Sequence, residues 1–245
     1  MLHVLIRSGL LLPGALAIAA LLVLIGLGGW QWQRMQWKQA VLAQLAAAAT
    51  APARDYGTVR LSALPSGEPG RYTPVSARGR YHHDKAVRVF WTRGSRPGFL
   101  VLTPFVPLSG RPILVNRGFV PEHLADRVAS SAPEGVVEVR GLLVRRDGSE
   151  SMFTPDPDLA RRTWYAIRPA EIAARLDLDV LPTHTLDLDQ RASDGGWPRA
   201  ASLAERIAAI PNRHFEYALT WWGLALTLVG VFAVFAYGRL KAAAG

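Results

Sequence analysis

Residues 211–237 read PNRHFEYALTWWGLALTLVGVFAVFAY, and this stretch is the strongest indication of the architecture of the chain. From residue 217 onward it carries no charged side chain, and about 20 helical residues are enough to cross about 30 Å of hydrocarbon. A helix satisfies its own backbone hydrogen bonds, which lipid cannot do, so the pattern predicts a membrane-spanning helix over residues 213–237. The residues that crowd the start of this helix are polar or ionisable: Asn212, Arg213, His214 and Glu216.

A second apolar stretch lies near the N-terminus. Residues 10–29, LLLPGALAIAALLVLIGLGG, are uncharged and long enough to span a bilayer. The competing interpretation is a cleaved signal peptide with Arg7 in its basic region. The apolar run is longer than such peptides carry, and no small-x-small cleavage site follows it. The sequence therefore predicts an uncleaved membrane anchor.

The amino-acid composition of the chain excludes several kinds of site and activity. The chain contains no cysteine, which excludes disulfides, thiolate metal sites and covalent haem attachment through Cys-x-x-Cys-His. The formal net charge is +9, but the basic residues are scattered, so contact with lipid headgroups explains them better than a nucleic-acid partner. No nucleophile elbow, His-Glu-x-x-His or phosphate-loop motif occurs, so we predict that the chain is not an enzyme.

Between the two spans, residues 30–212 suffice for one domain with its own core. Alternating apolar residues predict several strands, and a Ser-Gly pair at residues 109–110 predicts a hairpin. The first helix should continue to residue 49 and stop before Pro52, and a short helix should begin at Pro169. The predicted strands cover residues 72–81, 86–92, 98–106, 112–116, 136–144 and 183–189.

These elements predict a membrane protein in which two transmembrane α-helices flank a mostly antiparallel α+β extramembrane domain. The predicted boundaries are a tail at 1–9, a span at 10–29, the domain at 30–212, a span at 213–237 and a tail at 238–245. Two spans put both tails on the same side of the membrane. Basic residues beside the spans are too evenly divided to say which side that is.

Four stretches together resemble the surfeit-locus family of cytochrome c oxidase assembly proteins. They occur in the family's order between two spans, and the likeness extends over essentially the whole chain. The four stretches are GGWQWQRMQWK at 28–38, GFLVLTP at 98–104, LVNRGFVP at 114–121 and NRHFEYALTWWG at 212–223.

The resemblance implies a bacterial multi-pass protein of the plasma (inner) membrane, with cytoplasmic tails and a periplasmic loop domain. It implies an assembly factor that binds haem a and helps insert it into the catalytic subunit of the haem-copper oxidase. The implied partners are oxidase subunit I, haem a synthase as a second candidate, and the lipid bilayer. By motif position, His214 would be the ligand of the haem iron.

The residues suggest how such a site would be built. His214, Tyr217 and Trp221 share one helical face, and Trp30 and Arg34 share a face with Trp37 on the first helix. If the two faces meet, haem iron gains an imidazole ligand, aromatic walls and a guanidinium for a propionate.

Alternatives remain open from the sequence. His214 could instead be an inert residue at the headgroups, and the tryptophans could be interfacial belt residues. Arg117, placed at a strand end before a glycine, could bind a propionate or pair with a loop carboxylate. The alternative function is a membrane scaffold or chaperone that stabilises an oxidase assembly intermediate without binding haem.

Overall fold

Two long helices, α1 (Leu11–Thr50) and α4 (His214–Ala244), carry the apolar stretches at the two ends of the chain. The structure, a computed structural model, describes residues 9–61, 72–125, 133–146, 154–189, 196–208 and 212–244. Most of the predicted N-terminal tail, including Arg7, falls outside these ranges. The chain forms two units: a helical unit of Met1–Val41 with Ile210–Gly245, and a sheet unit of Leu42–Ala209.

The helical unit confirms that both apolar stretches are helices. Leu11–Ala48 and His214–Ala242 are long and apolar enough to cross a membrane. The Ala- and Leu-rich residues after 38 continue α1 as predicted, and the helix ends two residues before Pro52.

Within the helical unit, α1 and α4 run antiparallel and pack along one seam. Gly14 lies beside Phe232 near one end of the pair, and Gly28 lies against the Trp222 indole nearer the other. On α4, Ala218 is 0% exposed and Ala225 is 6% exposed. Alternating steps of three and four residues separate the seam positions, the spacing at which two helices keep one face in contact. The seam positions of α1 are buried or half-buried and include 14, 17, 21, 24, 28, 31 and 35.

The described residues of the sheet unit form eight strands and two shorter α-helices. All six predicted strands are confirmed, with ends shifted by up to five residues, and so is the helix that begins at Pro169. The strands are β1 (Arg54–Asp55), β2 (Tyr72–Tyr81), β3 (Val87–Arg93), β4 (Arg96–Pro107), β5 (Ile113–Pro121), β6 (Val137–Arg145), β7 (Thr163–Trp164) and β8 (His184–Leu188); the helices are α2 (Pro169–Leu176) and α3 (Leu203–Ala208).

The strand pairing closes a ring. The sheet order is β1-β2-β6-β8-β5-β4-β3-β7, and β2 also pairs with β4, so β2, β6, β8, β5 and β4 form a closed five-stranded barrel. Five of the pairings are antiparallel, which agrees with the mostly antiparallel sheet that we predicted. The pairings β1–β2, β3–β7 and β5–β8 are parallel. Ring closure leaves the barrel strands without a free edge.

Two apolar clusters stabilise this unit. One is formed largely by residues of the barrel strands, with Phe105, Ile113 and Leu186 fully buried. The other includes Val87 and Val89 of β3 together with Trp164 and Ile172 of β7 and α2. Alternate residues of β3 therefore enter the core, as the period of two predicts.

Candidate functional site

His214 is the first residue of α4, and its imidazole contacts the first helix. Its Nδ1 lies 2.7 Å from Oε1 of Gln31, a normal hydrogen-bond distance. Both side chains are half-buried. No hydrogen bond within the described part of the chain reaches Nε2 of His214. The imidazole therefore has one nitrogen engaged and the other available to a ligand.

Aromatic rings line the seam next to this histidine. The Trp32 ring centroid lies 6.2 Å from that of Phe215 and 6.1 Å from that of Trp222, both in tilted geometry. The Trp222 indole occupies the space that a Cβ at position 28 would need, so a glycine at 28 is what permits this packing. Trp221 is half-buried on the same stretch of α4. An apolar aromatic surface thus flanks the imidazole.

The predicted residues of the first helix lie on a different face. On α1, Trp30 is 56% exposed, and the Arg34 guanidinium lies 4.0 Å from the Trp37 ring centroid. On α4, Tyr217 is 54% exposed. The helices meet through Gly28 and Gln31, not through the face of Trp30, Arg34 and Trp37. The reason is steric, because the indole of α4 fits only over a glycine. The structure brings His214 and Trp221 to the seam and leaves Tyr217, Trp30 and Arg34 outside it.

Sequence reasoning missed Gln31, Trp32, Phe215 and Trp222. A signal for Gln31 was present as the series of residues at alternating three- and four-residue steps that ends in Gly28, Gln31 and Met35, and Trp32, Phe215 and Trp222 lie outside that series. We weighted the aromatic face instead. In an apolar span, tryptophans are equally expected against lipid, so they do not identify the helix contact.

Arg117 belongs to the sheet unit, and our placement of it at a strand end is wrong. β5 continues to Pro121, and the pairing with β4 jumps from Val101–Gly118 to Leu102–Asn116, which leaves Arg117 as the extra residue of a β-bulge. The Asn116 side chain stabilises this bulge by accepting a hydrogen bond from the Gly118 N–H at 3.1 Å. The bulge interrupts the regular alternation of β5 at Arg117.

The Arg117 side chain is only 8% exposed, and its guanidinium lies 5.5 Å from the Tyr81 ring centroid. Burial lowers the pKa of Arg117, and the neighbouring Tyr81 opposes part of that shift. Burial likewise raises the pKa of Tyr81 to about 12, against the opposing effect of Arg117. Arg117 therefore forms a cation–π pair with Tyr81 within the sheet unit.

A second buried charge, which the sequence did not reveal, is Asp187 on β8. Arg146 donates to both of its carboxylate oxygens at 2.7 and 2.8 Å, and Arg206 donates at 3.3 Å. Burial raises the pKa of Asp187, but the two guanidiniums and hydrogen bonds from Arg146 and Thr185 outweigh it, so the pKa lies below its ordinary value. This network ties α3 to the barrel.

A cavity of about 640 Å³ opens on the sheet unit. Phe90 and Phe99 meet edge-to-face at 6.1 Å, Tyr165 lies 6.2 Å from Phe90, and the Arg88 guanidinium lies 5.5 Å from the Phe99 ring. The described residues of its lining include no histidine. The described lining of this cavity therefore offers no imidazole to a metal, whereas the start of α4 offers His214.

Two histidines of the sheet unit, His83 and His184, have partners there. Nδ1 of His184, a buried residue of β8, lies 2.8 Å from the Thr183 hydroxyl. Nε2 of His83 lies 3.0 Å from the Pro133 carbonyl oxygen, and its ring packs 5.2 Å from Tyr81. Neither combines an available nitrogen with an adjoining apolar helix surface.

Comparison with known proteins agrees with the four motifs. A sequence model of the SURF1 family matches residues 18–226. A SURF1-like protein of Rickettsia conorii is 27% identical over 218 residues, covering 87% of this chain and 86% of the relative. A SURF1-like protein of Monosiga brevicollis is 32% identical over 230 residues, covering 84% and 81%. Surfeit locus protein 1 of Rattus norvegicus is 28% identical over 218 residues, covering 81% and 67%. Because the family match extends over most of its length, this chain belongs to the SURF1 family.

Proposed function

We propose that this protein is a membrane-anchored assembly factor for haem-copper oxidase that binds haem a and helps insert it into the catalytic subunit. The observation that carries the proposal is the imidazole of His214. It stands at the start of an apolar helix, with Nδ1 engaged and Nε2 without a hydrogen bond among the described residues. A neutral imidazole with one free nitrogen is a common axial ligand of haem iron.

The residues around His214 fit a haem group. Iron requires a nitrogen, sulfur or oxygen donor, and a chain without cysteine has no thiolate to provide one. The half-buried Trp221 and the ring cluster of Trp32 supply apolar surface for a macrocycle. When bound, haem a would supply redox-active iron destined for the oxidase. The chain's own residues would hold and shield it, so the proposed activity is binding and transfer, without catalysis.

The propionates of such a group are anionic, and Arg34 on α1 is a cation that suits them. Arg34 is exposed and lies over the Trp37 ring, which leaves its guanidinium accessible from water. Since it lies outside the seam, we expect a weaker contribution from Arg34 and Trp30 than from His214. Arg117 is buried against Tyr81, so we assign it to the stability of the sheet unit.

The proposal includes a location. The helices α1 and α4 would cross the bacterial inner membrane, with short cytoplasmic tails and the sheet unit in the periplasm. Supporting this, large apolar side chains along both helices are exposed, as lipid-facing residues are; Leu12, Leu226 and Val234 are among them. The proposed partners are the lipid bilayer, oxidase subunit I and haem a synthase.

The direct test is the haem content of the purified full-length protein. His214→Ala should remove most bound haem and its Soret absorbance while circular dichroism stays unchanged. His82→Ala, at an exposed residue of the sheet unit, is the matched control and should bind haem as the wild type does. Arg34→Ala should reduce occupancy less than His214→Ala. Full haem content and an unchanged Soret band in His214→Ala would refute the assignment.

The exposed apolar faces of both helices equally favour the alternative, a scaffold that holds an assembly intermediate without haem. A deletion strain separates the two functions. If the protein inserts haem, the remaining oxidase should lack haem a although haem a is still synthesised. Normal haem a occupancy in an under-assembled oxidase would instead support the scaffold.

A further inference from the structure

We infer that Gln31 is the positioning residue of this site: its side-chain carbonyl selects the tautomer and the direction of the His214 imidazole. The inference deepens the proposed function, and its consequence for haem rests on that function. The hydrogen bond itself does not depend on haem. It joins the two long helices at a 2.7 Å contact between Oε1 of Gln31 and Nδ1 of His214.

The chemistry of the two atoms decides the tautomer. An amide oxygen can only accept a hydrogen bond, so Nδ1 must carry the proton and donate it. A neutral imidazole has one N–H, so Nε2 then keeps its lone pair. Metal-binding histidines commonly donate the other ring N–H to a carbonyl or carboxylate in this way, which orients the ring and raises its basicity. Gln31 occupies that role for His214.

The position of Gln31 in the seam makes the bond specific. Gly28, one turn earlier, admits the Trp222 indole, and this packing sets the register in which residue 31 faces residue 214. Gln31 is half-buried there, where an unpaired amide would carry a desolvation penalty. Gln33 and Gln36, on the same helix, are exposed. Identical side chains two and five residues further along therefore cannot substitute for it.

The first experiment reads the tautomer without haem. Full-length protein with ¹⁵N-labelled histidine, in detergent at a pH where imidazole is neutral, reports which ring nitrogen of His214 carries the proton. We expect protonated Nδ1 in the wild type and in Gln31→Glu, which keeps an acceptor. In Gln31→Leu we expect a shift toward the mixture found for imidazole in water. Gln33→Leu is the matched control and should match the wild type.

The second experiment titrates the same proteins with haem. Gln31→Leu should weaken binding by roughly 10- to 100-fold, the range for loss of a metal ligand's outer partner. Gln31→Glu should bind haem and shift the reduction potential of the iron to a lower value, because a carboxylate acceptor makes the imidazole more basic. Gln33→Leu should leave both the affinity and the potential unchanged.

The outcomes separate the two proposals. Protonated Nε2 in the wild type would overturn the inference, since the amide would then be donating through its NH₂. An unchanged tautomer in Gln31→Leu would overturn it as well. If no variant binds haem but the tautomers follow the expected pattern, the proposed function fails while the positioning by Gln31 stands. A tautomer shift with unchanged haem affinity would overturn the role of Gln31 in haem binding.

Discussion

Replacing Gly118 with alanine should destabilise the sheet unit by about 4 kcal/mol, which we obtain by adding backbone strain and lost hydrogen bonds. Gly118 has φ +116°, a conformation that L side chains rarely adopt, and forcing it costs roughly 1–3 kcal/mol. A Cβ there would also overlap the backbone of Arg199 and Ala200. Backbone atoms cannot rotate aside as a side chain can.

The overlap with the backbone adds the loss of hydrogen bonds to the cost of the substitution. The segment at Arg199 is held to Phe119 by two backbone hydrogen bonds, of 3.0 Å and 2.9 Å, directly beside Gly118. Moving that segment to admit a methyl group would break both, at about 0.5–1.5 kcal/mol each. Together the terms give roughly 2–6 kcal/mol, a large share of the 5–15 kcal/mol by which typical domains are stable.

The assay is thermal unfolding of the full-length protein in detergent, followed by near-ultraviolet circular dichroism, with hydrogen exchange of β5 amides as the local readout. A loss of about 4 kcal/mol should lower Tm by roughly 8–16 °C in a unit of this size. Gly94→Ala is the matched control, because Gly94 also has a positive φ, +63°, but nothing lies within 4 Å of its Cβ position. It should cost only about 1–2 kcal/mol. Equal destabilisation by the two substitutions would refute the argument from backbone overlap.

Two further predictions concern the helix seam and the buried charge. Gly28→Val should disrupt the helix pair, because the valine side chain would overlap the Trp222 indole, whereas Gly26→Val, with open space around it, should not. Cross-linking of Gly14→Cys with Phe232→Cys by a bifunctional thiol reagent should fall several-fold only in the Gly28→Val background. Asp187→Asn should destabilise the sheet unit by about 3 kcal/mol, since it removes one partner of a buried ion pair. Because the folded-state pKa of Asp187 is lowered, its contribution is present above the ordinary carboxyl pKa of 3.8 and is lost as the pH falls through the folded value. Denaturant titrations at several pH values should show that loss in the wild type and not in Asp187→Asn.

The local elements of this protein could be predicted from its sequence. The apolar runs at residues 10–29 and 213–237 predict long helices because their signal is length and uniform composition. The hairpin at residues 109–110 and the helix start at Pro169 follow from turn and proline chemistry that acts within a few residues. The order of the four motifs likewise identified the family, which the comparisons then confirmed.

The contacts between distant segments could not be predicted from local sequence patterns. Periodicity offers several faces on α1, and only the fit of the Trp222 indole over Gly28 selects the one that places Gln31 against His214. The bulge at Arg117 depends on the opposite strand and on the crossing of Arg199.

Most elements, their order and the family therefore follow from the sequence, whereas β1, β7 and α3 do not, and the family resemblance supplied His214 as the candidate ligand. The side chains that meet could be read only from the folded chain: Gln31 with His214 across the helix seam, Arg117 with Tyr81, and Asp187 with Arg146. Local preferences and tertiary contacts differ in the distance along the chain over which they act. Helix, strand and turn preferences act over a few residues, whereas these pairs join residues up to 183 positions apart and are set by packing and barrel closure.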